Sequence, residues 1–201
     1  LFIIGGGING AGIARDAAGR GLSVCLADKG EIGGATSSWS TKLIHGGLRY
    51  LENYEFKLVR ESLMEREIVH KIAKPISKPI PFIIPYVDKI RPAWLIKIGL
   101  FLYDNLGGKS IIPKSKTLDL RKELPDVLQE KYKTGFQYFD IQIDDKKLTK
   151  LNVKDAKRNK AKILEYNKVK KAEIIDNKWI IHLQNGKKIA SKVLINASGP
   201  W

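Results

Sequence analysis

Cysteine is almost absent from this sequence of 201 residues, since Cys25 is the only one. A single cysteine excludes an intrachain disulfide and favours a reducing compartment. Its neighbours, Ser23-Val-Cys-Leu-Ala27, have the pattern of a buried strand, in which cysteine acts as a small apolar residue. The three histidines do not stand at metal-ligand spacing from each other or from Cys25, so we predict no metal site.

A long apolar run is also missing. The longest, residues 93–103, is interrupted by Lys97, whereas a membrane-spanning helix needs roughly 20 apolar residues. No signal-peptide pattern and no initiator Met open the chain. We expect a fragment that begins inside its first strand and does not cross a membrane.

Acidic side chains are few, with 21 Asp and Glu against 36 Lys and Arg and a formal net charge of +15. Such a field attracts phosphorylated ligands, anionic lipid or nucleic acid alike. The lysines of the C-terminal half have few aromatic residues among them, and stacking aromatics are what a nucleic-acid platform requires. We predict a solvated, lysine-rich surface and no nucleic-acid partner.

Glycine, in contrast, is concentrated where the chain starts, in Gly5-Gly-Gly-Ile-Asn9-Gly10 between an apolar strand and an alanine-rich helix. In this context Gly5 makes a tight turn, Gly7 lets a pyrophosphate approach the backbone, and Gly10 lets helix and strand pack closely. The helix N-terminus offers N–H groups to phosphates, and Asp28 after the second strand is placed to bind an adenosine ribose. The sequence predicts a dinucleotide-binding βαβ unit.

The periodicity of the remaining sequence predicts an α/β fold in two parts. Helices are expected at residues 54–73, 93–105 and, capped by Asp144 and Asp145, to about 158. The prolines between 75 and 92 leave room only for short extended pieces such as 82–84. Strands are expected at 135–143, 163–166, 171–175, 179–183 and 193–196, with turns at Asp176-Asn177 and Asn185-Gly186. We assign 1–73 and 160–201 to a discontinuous nucleotide-binding domain and 74–159 to an inserted segment.

NAD and FAD both fit this fold, and the last strand favours FAD. It ends in Asn196-Ala-Ser-Gly199, where Ala197 and Gly199 allow the chain to return beside the same cofactor. Such a return is typical of flavoproteins of the glutathione-reductase class.

A resemblance to a known family rests on several segments, and one of them, Lys42-Leu-Ile-His-Gly-Gly-Leu-Arg-Tyr50, is far more specific than the glycine motif. The chain resembles the FAD-dependent glycerol-3-phosphate dehydrogenases, which pass electrons to a quinone, at residues 5–21, Thr36-Ser-Ser38, 41–51, Arg91-Pro-Ala-Trp94 and Asn196-Ala-Ser-Gly-Pro-Trp201. The resemblance implies a Rossmann-like FAD-binding domain with part of an α+β substrate-side domain inserted.

The resemblance also implies roles for individual residues. Flavin or phosphate contacts would come from Thr36, Ser37, Ser40, Lys42, Leu43 and His45. The backbone at Gly46 and Gly47 would pass close under a flat ring system. Arg49 and Tyr50 would lie at the substrate, where the planar fork of Arg49 suits a phosphate.

By this resemblance the reaction is oxidation of glycerol 3-phosphate to dihydroxyacetone phosphate, in the cytoplasm or on the inner face of the cytoplasmic membrane. Residues 91–109 are a candidate membrane-surface segment, with a packed helix of the substrate domain as the alternative. A homodimer stays open. Two other functions stay open as well: a non-catalytic remnant that at most binds FAD, and a flavin oxidoreductase of the amino-acid-oxidase type.

Some positions depart from the family pattern. Asp28 stands where Glu is more usual, and Lys150, Asp155 and Lys157 stand where relatives have apolar or small residues, which predicts weak packing of that helix. The chain also ends well under halfway through a family member. We therefore expect the 201-residue chain alone to lack dehydrogenase activity.

Overall fold

The computed structural model describes residues 1–88, 90–129 and 131–200, so Trp201, the end of the last family-like motif, lies outside the described residues. The helices are α1 Ile8–Gly19, α2 Phe56–Ile72, α3 Ala93–Asn105, α4 Leu120–Glu123 and α5 Asp145–Arg158. The strands are β1 Phe2–Ile4, β2 Cys25–Ala27, β3 Leu43–Ile44, β4 Ser77–Pro85, β5 Lys116–Asp119, β6 Thr134–Ile143, β7 Lys162–Leu164, β8 Val169–Ile175, β9 Lys178–Leu183, β10 Lys188–Ser191 and β11 Leu194–Asn196.

The chain divides into two compact units at places other than those predicted. The first unit joins residues 1–42 to the described residues from 144 onward, and the second is Leu43–Ile143. The predicted bounds, 1–73 with 160–201, therefore need correction. Helix α2 belongs to the second unit because Val59 and Leu63 are buried against Tyr103, and α5 belongs to the first because Val153 and Ala156 are buried in the same cluster as the alanines of α1.

The first unit contains the predicted α/β fold with a parallel sheet. Its four strands run in the order β11-β1-β2-β7, all parallel. Because side chains alternate along a strand, Ile3 of β1 faces the apolar cluster that includes α1 and α5, while Phe2 faces Ile181 and Leu183 of β9. The sheet is thus buried on both faces.

Helix α5 packs well, contrary to the expectation from its charged residues. Thr149, Val153 and Ala156 are buried, whereas Lys150 and Asp155 lie on the outer side and form ion pairs with Glu31 and Arg15. The helix is amphipathic, so the charges do not enter its packed face.

An antiparallel sheet, β10-β9-β8, covers one face of the parallel sheet. The turn at Asp176-Asn177 joins β8 to β9, and both residues have positive φ, 49° and 59°, as two-residue hairpins prefer. Asn185-Gly186 also makes a turn, but it leads to β10, a strand missing from the sequence prediction.

The second unit is built on β6, which pairs with β4 on one edge and with β3 and β5 on the other. Strand β4 is nine residues long, so the expectation of only short extended pieces there was wrong. Pro79, Pro81 and Pro85 alternate within it and therefore share one orientation, and β4 is an edge strand on which missing N–H groups can face away from β6.

Candidate functional site

The glycine-rich turn, Asp28 and the end of the last strand lie at one edge of the first unit. Gly5 follows β1, Asp28 follows β2 and Ala197 follows β11, and parallel strands place their carboxyl ends together. The N–H of Ala197 donates to the carbonyl of Ile4 at 2.8 Å. Gly5 has φ +104°, and a Cβ there would collide with the Ala197 carbonyl, so the two predicted segments are in close contact. Gly199 follows in the left-handed region at φ 77°.

Gly7 and Gly10 have different surroundings, as the motif predicts. A Cβ at Gly10 would collide with the Gly5 carbonyl, so this glycine is needed for packing of α1 on β1. A Cβ at Gly7 would meet only the Ser37 hydroxyl, at 3.1 Å, which leaves the backbone open to an outside group. Asn9 is exposed on the first turn of α1. This open glycine at a helix N-terminus fits a cofactor with a pyrophosphate.

Ser37 contacts the start of α1 directly. Its hydroxyl oxygen accepts a 2.8 Å hydrogen bond from the N–H of Ile8 and so caps a helix whose N-cap residue, Gly7, has no side chain. Ser37 belongs to the 3-10 turn Thr36–Ser38, and the carbonyl of Thr36 accepts from the N–H of Trp39. The structure therefore brings the predicted Thr-Ser-Ser segment to the glycine-rich turn.

Asp28 fixes the shape of this edge. Its Oδ2 accepts from the N–H of Gly6 at 2.6 Å and its Oδ1 accepts from the N–H of Gly30 at 2.8 Å. The sequence prediction gave no role to Gly6. A side chain at this position would collide with Ile32 and touch Asp28, so the turn requires glycine here as well. The carboxylate thus orients the turn, and its remaining lone pairs are the ones a ribose would use.

Ser40 and Lys42 lie at the N-terminus of α5. The hydroxyl of Ser40 donates to Asp145 Oδ2 at 2.7 Å, and Nζ of Lys42 donates to Asp145 Oδ1 at 2.8 Å and to the Ser38 carbonyl at 3.0 Å. Burial is the largest influence on Asp145 and works toward a higher pKa, but these hydrogen bonds outweigh it and lower the pKa of Asp145. Lys42 also holds φ at 58°, which is unusual for a residue with a side chain.

Glu31 is a further charged residue at this end of α5 that sequence reasoning missed. Hydrogen bonds from Lys146 and then Lys150 lower the pKa of Glu31 to about 2. These lysines are one helical turn apart and reach Glu31 at 2.8 and 2.5 Å. The spacing of four residues places Lys146 and Lys150 on one face of the helix, but it does not predict that Glu31 is their ion-pair partner.

In the second unit, Gly46 and Gly47 are packed by the protein itself. A Cβ at Gly46 would collide with Leu63, and a Cβ at Gly47 would overlap the ring of Tyr50, at 2.5 Å from its Cδ2. Gly47 has φ +73° and precedes the 3-10 helix Leu48–Asn53. The glycines therefore have a structural reason in this chain that is separate from any approach to a flavin ring.

The predicted substrate residues Arg49 and Tyr50 lie on that 3-10 helix and are exposed. Arg49 forms no ion pair within 4 Å with any residue of the described ranges, so its guanidinium is available. His45 is also exposed, and Leu43 is half-buried in β3 opposite Gln142.

Arg91, the first residue of the Arg-Pro-Ala-Trp motif, pairs with Glu52 on the same 3-10 helix. Both Nη atoms contact the carboxylate, one of them at 2.7 Å. The Arg91 hydrogen bonds lower the pKa of Glu52, and the charge of Arg49 lowers it further. Glu52 is therefore close enough to Arg49 to influence it, yet it is already paired.

His70, His182 and Cys25 have identifiable contacts within the fold. His70 is buried and bonds Ser77 at 2.8 Å, and His182 bonds Glu173 at 2.8 Å. Burial raises the pKa of the Cys25 thiol in β2. Within residues 1–88, 90–129 and 131–200, no group of three His, Cys, Asp or Glu residues is arranged to hold a metal ion.

Comparison with known proteins gives one family match over the whole chain. The model of the family described as FAD dependent oxidoreductase matches residues 1–201. The chain is 46% identical over 206 residues to the aerobic glycerol-3-phosphate dehydrogenase of Escherichia coli (strain K12), which covers 100% of this chain and 41% of the relative. It is also 46% identical over 207 residues to the D-erythritol 1-phosphate dehydrogenase of Brucella abortus (strain 2308), with the same coverage of each chain.

A solved structure is similar as well. The glycerol-3-phosphate dehydrogenase from Bacillus halodurans complexed with FAD superposes with a TM-score of 0.70 at 27% identity, over 100% of this chain and 34% of that one. Our chain thus spans about two fifths of the length of these curated relatives. The glycine-rich turn at the strand ends, the open backbone at Gly7 and the match over the full chain lead to one conclusion: this protein belongs to the FAD dependent oxidoreductase family.

Proposed function

We propose that the first unit binds the ADP half of FAD at the edge formed by Gly5, Gly7, Gly10, Asp28 and Ala197. The observation that carries this proposal is the open backbone at Gly7 beside the N-terminus of α1. There the helix presents N–H groups and a partial positive charge to phosphates. A bound flavin supplies the hydride-accepting chemistry, while the protein supplies position and electrostatics.

The proposed reaction is oxidation of a polyol phosphate, with glycerol 3-phosphate as the first candidate. Arg49 is exposed and without an ion-pair partner among the described residues, and its planar guanidinium suits a phosphate dianion. Tyr50 beside it offers a hydroxyl to the same ligand. The E. coli relative bears the name of this activity, which supports the choice.

D-Erythritol 1-phosphate is the second candidate substrate, because a relative with that name is equally identical, at 46%. Both compounds carry a terminal phosphate and a secondary hydroxyl, so Arg49 would serve either. Arg49 would also suit the carboxylate of an amino acid, so it does not separate the amino-acid-oxidase alternative. The names of the two relatives at 46% identity are what favour a polyol phosphate.

We further propose a quinone as acceptor and a membrane surface as partner of α3. Among residues 1–88, 90–129 and 131–200, every helix is too short or too polar to span a bilayer. Trp94, Ile98 and Phe101 nevertheless lie exposed on one side of α3, with Trp94 62% and Phe101 65% exposed, while Leu100 and Tyr103 are buried on the other side. Such a helix can lie in the interface plane of a bilayer.

The test is purification of the native polypeptide that contains this chain, followed by flavin absorbance and dye reduction with glycerol 3-phosphate, D-erythritol 1-phosphate and unphosphorylated glycerol. We expect bound flavin and turnover of one phosphate ester. Arg49→Ala should raise the KM of that ester by about tenfold or more, because a charge-assisted contact is lost. Arg60→Ala, an exposed arginine on α2, serves as the control. Absence of flavin, or equal turnover of glycerol, would overturn the proposal.

A further inference from the structure

A buried hydrogen-bond chain in the second unit ends on the backbone of the glycine pair. The N–H of Gly46 donates to the Tyr103 hydroxyl at 2.7 Å, and that hydroxyl donates to Asp140 Oδ1 at 2.7 Å. Arg66 Nη1 donates to the same Oδ1 at 2.9 Å. All three residues are at most 4% exposed.

The direction of the chain is fixed by the charges. Burial, together with the Asp140 charge, raises the pKa of Tyr103, so its hydroxyl stays protonated and donates to the carboxylate. The oxygen of the same hydroxyl is then the acceptor for the Gly46 N–H. The Arg66 guanidinium lies 5.4 Å from the Tyr103 ring centroid and pairs with Asp140, so neither charge is left alone.

Burying two charged side chains in a core costs free energy of desolvation. A buried ion pair contributes little to stability compared with apolar side chains of the same volume. Arg66 Nε, moreover, has no hydrogen-bond partner among the described residues, so the arginine is incompletely satisfied. Stability is therefore a weak explanation for the presence of these three residues together.

The hydrogen bond from the Gly46 N–H to Tyr103 suggests another role for the three residues. Leu63 and Tyr103 fill the space beside Gly46, so the Tyr103 hydroxyl meets its amide where the packing is tight. The next residue, Gly47, starts the 3-10 helix that carries Arg49 and Tyr50, and the N–H of Tyr50 returns to the Gly47 carbonyl at 2.9 Å. Fixing Gly46 consequently fixes the start of the substrate segment.

We propose that Tyr103, held by Asp140 and Arg66, is a positioning residue that orients residues 46–50 for binding of the substrate phosphate. The proposal rests on the proposed function for its kinetic consequence. The positioning itself is a property of the fold and can be measured without substrate.

The variant is Tyr103→Phe in the native polypeptide, which removes one hydroxyl and keeps the ring. Tyr138→Phe is the matched control, because Tyr138 packs against Tyr103 with ring centroids 5.9 Å apart, and its hydroxyl makes no hydrogen bond to a described residue. We expect Tyr103→Phe to speed amide exchange of residues 43–50 by about tenfold or more, and Tyr138→Phe to leave it unchanged.

The second measurement compares the effects of the substitution on KM and on kcat. Tyr103→Phe should raise the KM for the accepted polyol phosphate by about tenfold with a smaller change in kcat, because substrate binding depends on the placement of Arg49. If no phosphate ester is oxidised even by the unmodified protein, the proposed function fails while the exchange measurement still decides the positioning. Equal exchange in Tyr103→Phe and the unmodified protein, or the same change in Tyr138→Phe, would overturn the inference.

A measurement on the unmodified protein covers the case in which Tyr103→Phe does not fold. The Gly46 amide should then exchange as slowly as amides in the interior of α2, because both are buried and hydrogen-bonded. Exchange at the rate of an exposed loop would contradict the proposal.

Discussion

Nζ of Lys42 lies 2.8 Å from Oδ1 of Asp145, the first residue of α5. The family resemblance assigns Lys42 to the cofactor, but in this structure its ammonium group is paired with the Asp145 carboxylate. Asp145 also accepts from Ser40, so one carboxylate fixes both ends of the 40–42 segment. An acid in the first turn of a helix is further stabilised by the helix dipole.

Asp145→Asn should destabilise the first unit in a pH-dependent way. The pKa of Asp145 is lower in the folded protein than its ordinary value of about 3.9, so its stabilisation is complete above that pH and is lost as pH falls through the lowered value. We expect a loss of about 1 kcal/mol near neutral pH, reduced because Lys42 is half exposed. Urea unfolding from pH 7 to pH 3 measures it. A difference between variant and unmodified protein that does not shrink below pH 4 would contradict this assignment.

Gly7→Val should abolish FAD retention while the fold persists. The backbone at Gly7 has φ −71°, which a β-branched residue can adopt, and the nearest atom to its Cβ is the Ser37 hydroxyl at 3.1 Å. The added methyl groups would occupy the space needed by a pyrophosphate. Bound flavin after gel filtration is the measurement, with circular dichroism to confirm folding. Gly12→Ala, with no atom near its Cβ, is the control and should gain about 0.5–1 kcal/mol in stability. Full flavin occupancy in Gly7→Val would contradict the proposed cofactor site at Gly7.

Arg91→Gln should weaken phosphate binding indirectly. Without Arg91, the unpaired Glu52 would attract Arg49 and compete with the substrate phosphate. Because the groups are partly exposed and screened by solvent, we expect only a modest rise in KM, of roughly fivefold or less. The double variant Glu52→Gln, Arg91→Gln should recover the original KM. Failure of the second substitution to rescue the first would show that Arg91 acts by another route.

The exposed face of α3 should bind vesicles. Replacing Trp94 and Phe101 by Ser removes two exposed apolar side chains from this face and should lower the bound fraction in flotation assays with anionic vesicles several-fold. Ile72→Ser, at an equally exposed position of α2, should leave binding unchanged. If the native polypeptide does not float with vesicles, or if Ile72→Ser has the same effect, the membrane proposal is wrong.

Elements whose causes are local could be predicted from the residues alone. Helix α3 begins and ends at Ala93 and Asn105 as predicted, because a proline precedes it and a glycine pair follows. Asp144 caps α5 by accepting from the Lys147 N–H, and the glycine motif forms the predicted turn between β1 and α1. These features depend on residues within a few positions of each other, so the local sequence pattern is enough to predict them.

The contacts between distant groups could not be predicted in this way, because they depend on the fold of the whole chain. Lys42 and Asp145 are 103 positions apart, and Arg66 and Asp140 are 74 apart. Periodicity shows which face of a helix or strand is polar but not the element that will face it. The same limit explains the misplaced unit boundaries and the length of β4, whose prolines argue against a strand until its edge position beside β6 is known. Contacts between distant residues stabilise the protein only when the whole chain is folded. They determine the unit boundaries and allow β4 to form as a strand.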